Sequence, residues 1–208
     1  DEQLYDYQVP IGTAYGYLRQ AENSFIDKRF PYLKADPEKS NYLRDVLENK
    51  ANGRKIVGVS WRSSAREDSG KRSLSLKDLV RELPDNILLV NLQYGDVSSE
   101  LINFEKATGQ KIFCLDEIDN FNDLDDFCAL IEACGTIVSI DNSTVHFAGA
   151  LGAECHILLP YSHTSDWRWG PHGTKESNCY KKVNLYWQDA PSNWSSCLSH
   201  LKARLGSK

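Results

Sequence analysis

From Lys55 onward the sequence repeats one pattern: a short apolar run, a polar turn, then a stretch with helical periodicity. The apolar runs are 56–60, 87–92, 112–115, 136–140 and 155–159, with 183–186 as a sixth candidate. Short runs without polar alternation fit strands covered by helices on both faces. Between them the spacing predicts helices over 76–83, 97–108, 124–134, 145–151 and 192–205. Ser75-Leu76-Lys77-Asp78 reads as a capping box. Gly206 follows the last helix as a stop. Strand and helix in alternation imply a parallel sheet with right-handed crossovers, an α/β Rossmann-like fold. Ligands of such sheets sit beyond the carboxyl ends of the strands, so function is sought in the residues just after each run.

The segment before Lys55 is different. Residues 1–37 are rich in Tyr, Pro and charge and show little periodicity, so 9–12 and 30–33 are expected to be irregular. A helix is expected over 38–51, with Tyr42, Leu43, Val46 and Leu47 on one face and Gly53 ending it. Residues 1–52 are therefore expected to be the end of a preceding domain with its linker, and 53–208 the Rossmann-like domain.

Charge and composition narrow the function classes. A net charge of -5 without a basic block argues against a nucleic-acid partner. No apolar run is long enough for a membrane span, and Asp1-Glu2-Gln3 does not start a signal peptide. A cytoplasmic protein is expected. The absence of methionine implies a fragment of a longer chain. The six cysteines are scattered singly without metal spacing, and those at 114, 128, 134 and 155 are expected to be buried free thiols.

Several strand-end residues carry chemistry. Asp141-Asn142-Ser143-Thr144 follows the 136–140 run and opens a helix of small residues. Its first turn has unpaired backbone N–H groups and the positive dipole end, a ready site for a diphosphate. Simple capping explains the same residue types. Ser60-Trp61-Arg62-Ser63 and the polar loop to Arg72 can clamp an anion through arginine forks and serine hydroxyls, or can be a solvated loop. Gln93-Tyr94-Gly95-Asp96 is placed to meet a ribose or base, or is a plain turn. Asp166-Trp167-Arg168-Trp169 either stacks on a base or sugar, or packs the C-terminal segment. Asp123-Leu124-Asp125 has the form of a metal-binding Asp-x-Asp, but it opens an apolar helix, where acids cap. His146 is read as structural, and His163 and His172 have no metal spacing.

The run Val138-Ser139-Ile140-Asp141-Asn142-Ser143-Thr144-Val145-His146-Phe147-Ala148-Gly149-Ala150-Leu151-Gly152 resembles the donor-site segment of heptosyltransferase-like enzymes, glycosyltransferase family 9. The resemblance is closest to bacterial proteins that join tetratricopeptide repeats to such a domain. Val59-Ser60-Trp61-Arg62, Leu92-Gln93-Tyr94-Gly95-Asp96, Asp119-Asn120-Phe121-Asn122-Asp123-Leu124, Leu158-Leu159-Pro160 and Asp166-Trp167-Arg168-Trp169 extend it over about residues 56–187. Val9-Pro10-Ile11-Gly12 matches more loosely.

The resemblance implies the C-terminal, donor-binding domain of a GT-B glycosyltransferase, with no metal or other cofactor required. It implies a diphosphate site at Ser60, Arg62, Ser63, Arg72, Asn142, Ser143 and Thr144. The nucleoside and sugar fall to Gln93, Asp96, Asp141, Asp166, Trp167 and Arg168. At Ser177-Asn178-Cys179-Tyr180 the chain departs from the group's Ser-Pro-Trp-Tyr. In such enzymes the acceptor base comes from the N-terminal domain, which the residues before the first strand are too few to form. The expected partners are thus a nucleotide-diphosphate sugar, that N-terminal domain and tetratricopeptide repeats. The fragment alone is expected not to turn over. The alternatives are a non-catalytic binding or protein-interaction module and an epimerase-like domain. The epimerase-like reading lacks Gly-x-Gly-x-x-Gly after the first strand.

Overall fold

The computed structural model describes residues 6–21, 24, 31–63, 72–161 and 168–206, with Tyr15 described by its backbone alone. Its elements are α1 (Ile11–Leu18), α2 (Pro37–Ala51), β1 (Lys55–Ser60), α3 (Leu76–Arg81), β2 (Ile87–Asn91), α4 (Ser98–Thr108), α5 (Leu124–Cys134), β3 (Thr136–Ile140), α6 (Ser143–Leu151), β4 (Glu154–Leu159), β5 (Val183–Trp187) and α7 (Ser195–Gly206). The five strands form one sheet in the order β2-β1-β3-β4-β5, and every pairing is parallel.

Alternate residues on each strand feed two cores. Leu88, Val90, Ile137, Cys155, Ile157 and Leu185 face one layer, with α2, α5 and α6 packed on them. Val57, Val59, Ile87, Leu89, Val138, Ile140 and Leu158 face the other, under α3, α4 and α7. This explains the continuous apolar runs: both faces of each strand are covered. Gly58 is required by close packing, because a Cβ there would lie 2.4 Å from Leu92 Cδ1.

Four expectations change. The run 112–115 is no strand. It touches β2 only through the Val90–Phe113 bridge, with Asn91 N–H donating to Phe113 O and Phe113 N–H to Leu89 O, both at 2.8 Å. The next residues leave the sheet edge in a polar turn, so the ladder cannot grow. Residues 11–18 are helical rather than irregular; Gly12 and Gly16 weaken the helical signal. Tyr42 and Ile102 are exposed, at 51% each, while their neighbours Leu43, Leu47 and Phe104 are buried. Finally, α2 precedes the expected boundary at 53 but packs Leu43, Leu47 and Ala51 into the same core as α5.

Of the six cysteines, all free, Cys134, Cys155 and Cys197 are buried, and Cys114 and Cys128 are half-buried. No helix among the described residues is long and apolar enough to cross a membrane.

Candidate functional site

The carboxyl ends of β1, β2 and β3 meet at one rim, and a polar network ties them together. Asn142 N-caps α6: its Oδ1 accepts from Thr144 N–H at 3.0 Å. Its Nδ2 donates to Ser60 Oγ at 2.7 Å, across from β3 to β1. Ser60 in turn donates to Gln93 Oε1 at 3.1 Å. The same Gln93 oxygen accepts the backbone N–H groups of Trp61 and Arg62, at 3.0 and 2.8 Å. Gln93 Nε2 donates to the carbonyls of Arg62 and Tyr94.

Gln93 therefore does not present its amide to a ribose. It is 2% exposed, and its side chain is spent on the protein. What it does is fix the β1 exit, so that Arg62 and Ser63 follow a set path beside the α6 cap. Ser63 N–H donates to Ser73 Oγ at 3.1 Å, and Leu74 N–H to Trp61 O at 3.0 Å, which brings Arg72 back to the rim.

Asp141 faces the other way. Its Oδ1 accepts from the Trp169 indole at 3.1 Å and its Oδ2 lies 3.5 Å from Arg72 Nη1. It thus gathers Arg72 and the 168–170 turn at the start of α6. Trp169 is buried and stacks on His146, with centroids 5.2 Å apart and planes 14° apart. Tyr180 Oη lies 3.0 Å from His146 Nδ1, and its ring fills the space left by Gly149. Burial pushes the Tyr180 phenol well above its ordinary pKa, so it is neutral at physiological pH. His146 is a structural residue of this stack.

Ser177 and Tyr180, the two residues that keep the group's pattern at 177–180, both hold structure: Ser177 Oγ donates to Arg168 O at 3.1 Å. Arg168 is half-buried beside this turn. Asp166 and Trp167 lie outside the described residues, as does His163.

Ser143 is exposed in the first turn of α6, whereas Thr144 is fully buried and its Oγ1 has no hydrogen-bond partner among the described residues. Arg62 and Arg72 keep 44% and 38% of their side chains exposed. Asp96 is exposed at the β2 exit, and the Ser98 backbone N–H and hydroxyl hold its carboxyl below the usual range. It lines a hollow of about 540 Å³ with Asn91, Gly95, Asp119, Asn120 and Phe121. A larger hollow, about 970 Å³, opens at the opposite, amino-terminal ends of β3, β4 and β5 beside Gly135, Glu154 and Val183. It lies away from the strand exits. Asp123 caps α5 by accepting from Asp126 N–H at 3.0 Å.

Glu100 was not among the residues expected from sequence. It sits in the first turn of α4, accepts from the buried Trp61 indole at 2.8 Å, and lies 3.5 Å from Arg62. An acid in a first turn normally reads as a dipole partner, so nothing in the sequence marks its contact with β1.

The rim belongs to a fold class with known members. Among the solved structures that share the fold, two are similar to this chain over most of its length. One is a glycosyl transferase family 9 protein from Veillonella parvula, with a TM-score of 0.56 and 9% identity over 85% of this chain and 52% of that one. The other is the ADP-heptose lps heptosyltransferase II of E. coli, also at a TM-score of 0.56, with 18% identity over 85% of this chain and 53% of that one. The fold is thus the α/β fold of GT-B glycosyltransferase halves. Protein FlbA of Caulobacter vibrioides is 29% identical over 204 residues. That match takes in 97% of this chain and 33% of FlbA, so the chain spans about a third of that relative and half of the two solved structures. No protein-family model matches the chain.

Proposed function

We propose that the chain is the donor-binding half of a glycosyltransferase, holding the diphosphate of a nucleotide sugar at the N-terminus of α6 for metal-independent transfer. One observation carries this reading: the start of α6, with Ser143, opens at the same rim as two part-exposed arginines, Arg62 and Arg72. Departure of a diphosphate without a metal needs fixed donors and cations where charge develops, and helix N–H groups and guanidinium groups are such donors. The hollow at the β2 exit, with Asp96, would take the nucleoside, and Asp141 the sugar side.

The two solved structures of like fold are a glycosyl transferase family 9 protein and a heptosyltransferase, which agrees with this reading. The acceptor base is assigned to an N-terminal half in the longer protein, together with the tetratricopeptide repeats that the resemblance implies. The work is placed in the cytoplasm.

Calorimetric titration with ADP, UDP and GDP and their sugars tests the reading. The expected result is weak, saturable binding that is weakened further in the Ser143→Ala variant, with no sugar transfer by the chain alone. Sugar transfer by the isolated chain would refute the division of labour. Absence of binding by a longer chain carrying the preceding half would make this a non-catalytic module.

A further inference from the structure

Arg62 reaches the rim through its backbone, but its guanidinium is drawn aside. The Arg62 carbonyl lies 3.5 Å from Asn142 Nδ2, next to the α6 cap. Its Nη1 is 3.5 Å from Glu100 Oε2, and its Nη2 donates to Asp96 O at 3.3 Å. The Arg62 charge also helps to hold the Asp96 carboxyl below its usual range, after the Ser98 hydrogen bonds. Glu100 cannot follow the arginine elsewhere, because its other oxygen is held at 2.8 Å by the indole of fully buried Trp61. One carboxylate thus has two tasks: one oxygen anchors the β1 exit, and the other competes for Arg62.

We propose that Glu100 is a positioning residue, a built-in counter-anion that holds Arg62 off the diphosphate and sets how strongly the site binds. This rests on the diphosphate reading above. A ligand gains Arg62 only by displacing a carboxylate, so weakly charged phosphates are disfavoured relative to a diphosphate. Part-exposed ion pairs are weak enough to be exchanged in this way.

Glu100→Gln separates the two tasks, since the amide oxygen still accepts from Trp61 while the charge is gone. The probe is inorganic pyrophosphate, titrated by calorimetry at low salt, with thermal melting and Trp fluorescence as controls of the fold. Glu100→Gln should bind about threefold tighter than the wild type, the scale of an exposed ion pair. In an Arg62→Gln background the same change should give no gain. A gain that persists without Arg62 overturns the proposal, because Glu100 would then act by bulk charge alone. Equal or weaker binding by a folded Glu100→Gln overturns it too. If neither wild type nor variant binds pyrophosphate, and ADP, UDP and GDP also fail, the diphosphate reading falls and this inference with it.

Discussion

The two halves of the rim hold their loops by different physics. On the β1–β2 side, the Gln93 amide collects five hydrogen bonds and sits buried beneath Arg62. On the β4–β5 side, rings do the work: Trp169 stacks on His146, and Tyr180 lies against Gly149. Adjacent residues serve the two halves, Asn142 toward Ser60 and Asp141 toward Trp169. A buried polar hub is sensitive to each missing partner, because every orphaned donor stays desolvated. An aromatic stack is sensitive to shape and tolerates the loss of one hydrogen bond.

The largest effect should follow from emptying the hub. Gln93→Ala leaves the N–H groups of Trp61 and Arg62 without acceptors in a buried place. It should cost about 3 kcal/mol of stability, since each such group costs about 1–3 kcal/mol. Urea denaturation measures it, and a loss below about 1 kcal/mol would remove the contrast between the halves. On the aromatic side, Gly149→Ala puts a Cβ 2.5 Å from Tyr180 Cγ. Overpacking of this kind costs about 2 kcal/mol. Adding Tyr180→Ala to it should recover part of the loss at that site, which a purely helical effect of the glycine would not allow.

The scaffold was more legible in the sequence than the site. Five strands and α2 to α7 follow from apolar runs, periodicity and caps, because burial on both faces writes itself into composition. The run 112–115 looks equally apolar, but an edge position and the polar turn after it limit it to one bridge. The strand ends point to Arg62, Asn142 and Ser143 and the polar loop after β1 to Arg72, and the structure gathers all four at one rim. Gln93 looks like a ligand contact in the sequence, because a polar residue after a strand gives no sign that it turns inward. Glu100 carries no such sign in the sequence, because its partner, Trp61, lies 39 residues earlier in the chain.

A smaller effect is expected where the stack meets the rim. Trp169→Phe keeps a ring over His146 but removes the indole bond to Asp141 and leaves a small cavity where the second ring of the indole was. A loss of about 1.5 kcal/mol is expected, one such bond together with the small cavity. Pyrophosphate binding should weaken as well, because Asp141 also faces Arg72 and is freer to move. A loss as large as that of Gln93→Ala would mean that the aromatic half is also a polar hub.

The smallest effect concerns the β4–β5 edge and appears only at high pH. Tyr186 Oη lies 2.9 Å from His156 Nδ1, and burial pushes the phenol up to about 12. An unfolded tyrosine titrates near about 10. The folded state therefore holds this proton more tightly than the unfolded one. The resulting stability is fully present below about pH 10 and is lost as pH rises toward about 12, because the unfolded chain ionises first. Tyr186→Phe removes this titration while keeping the ring. The difference in stability between wild type and Tyr186→Phe should be constant up to about pH 10 and then shift in favour of the variant. Denaturation midpoints across that window measure it. A difference that stays flat to pH 12 would mean that the phenol ionises as easily in the fold as in water, and that the β4–β5 side is more open to solvent than its packing implies.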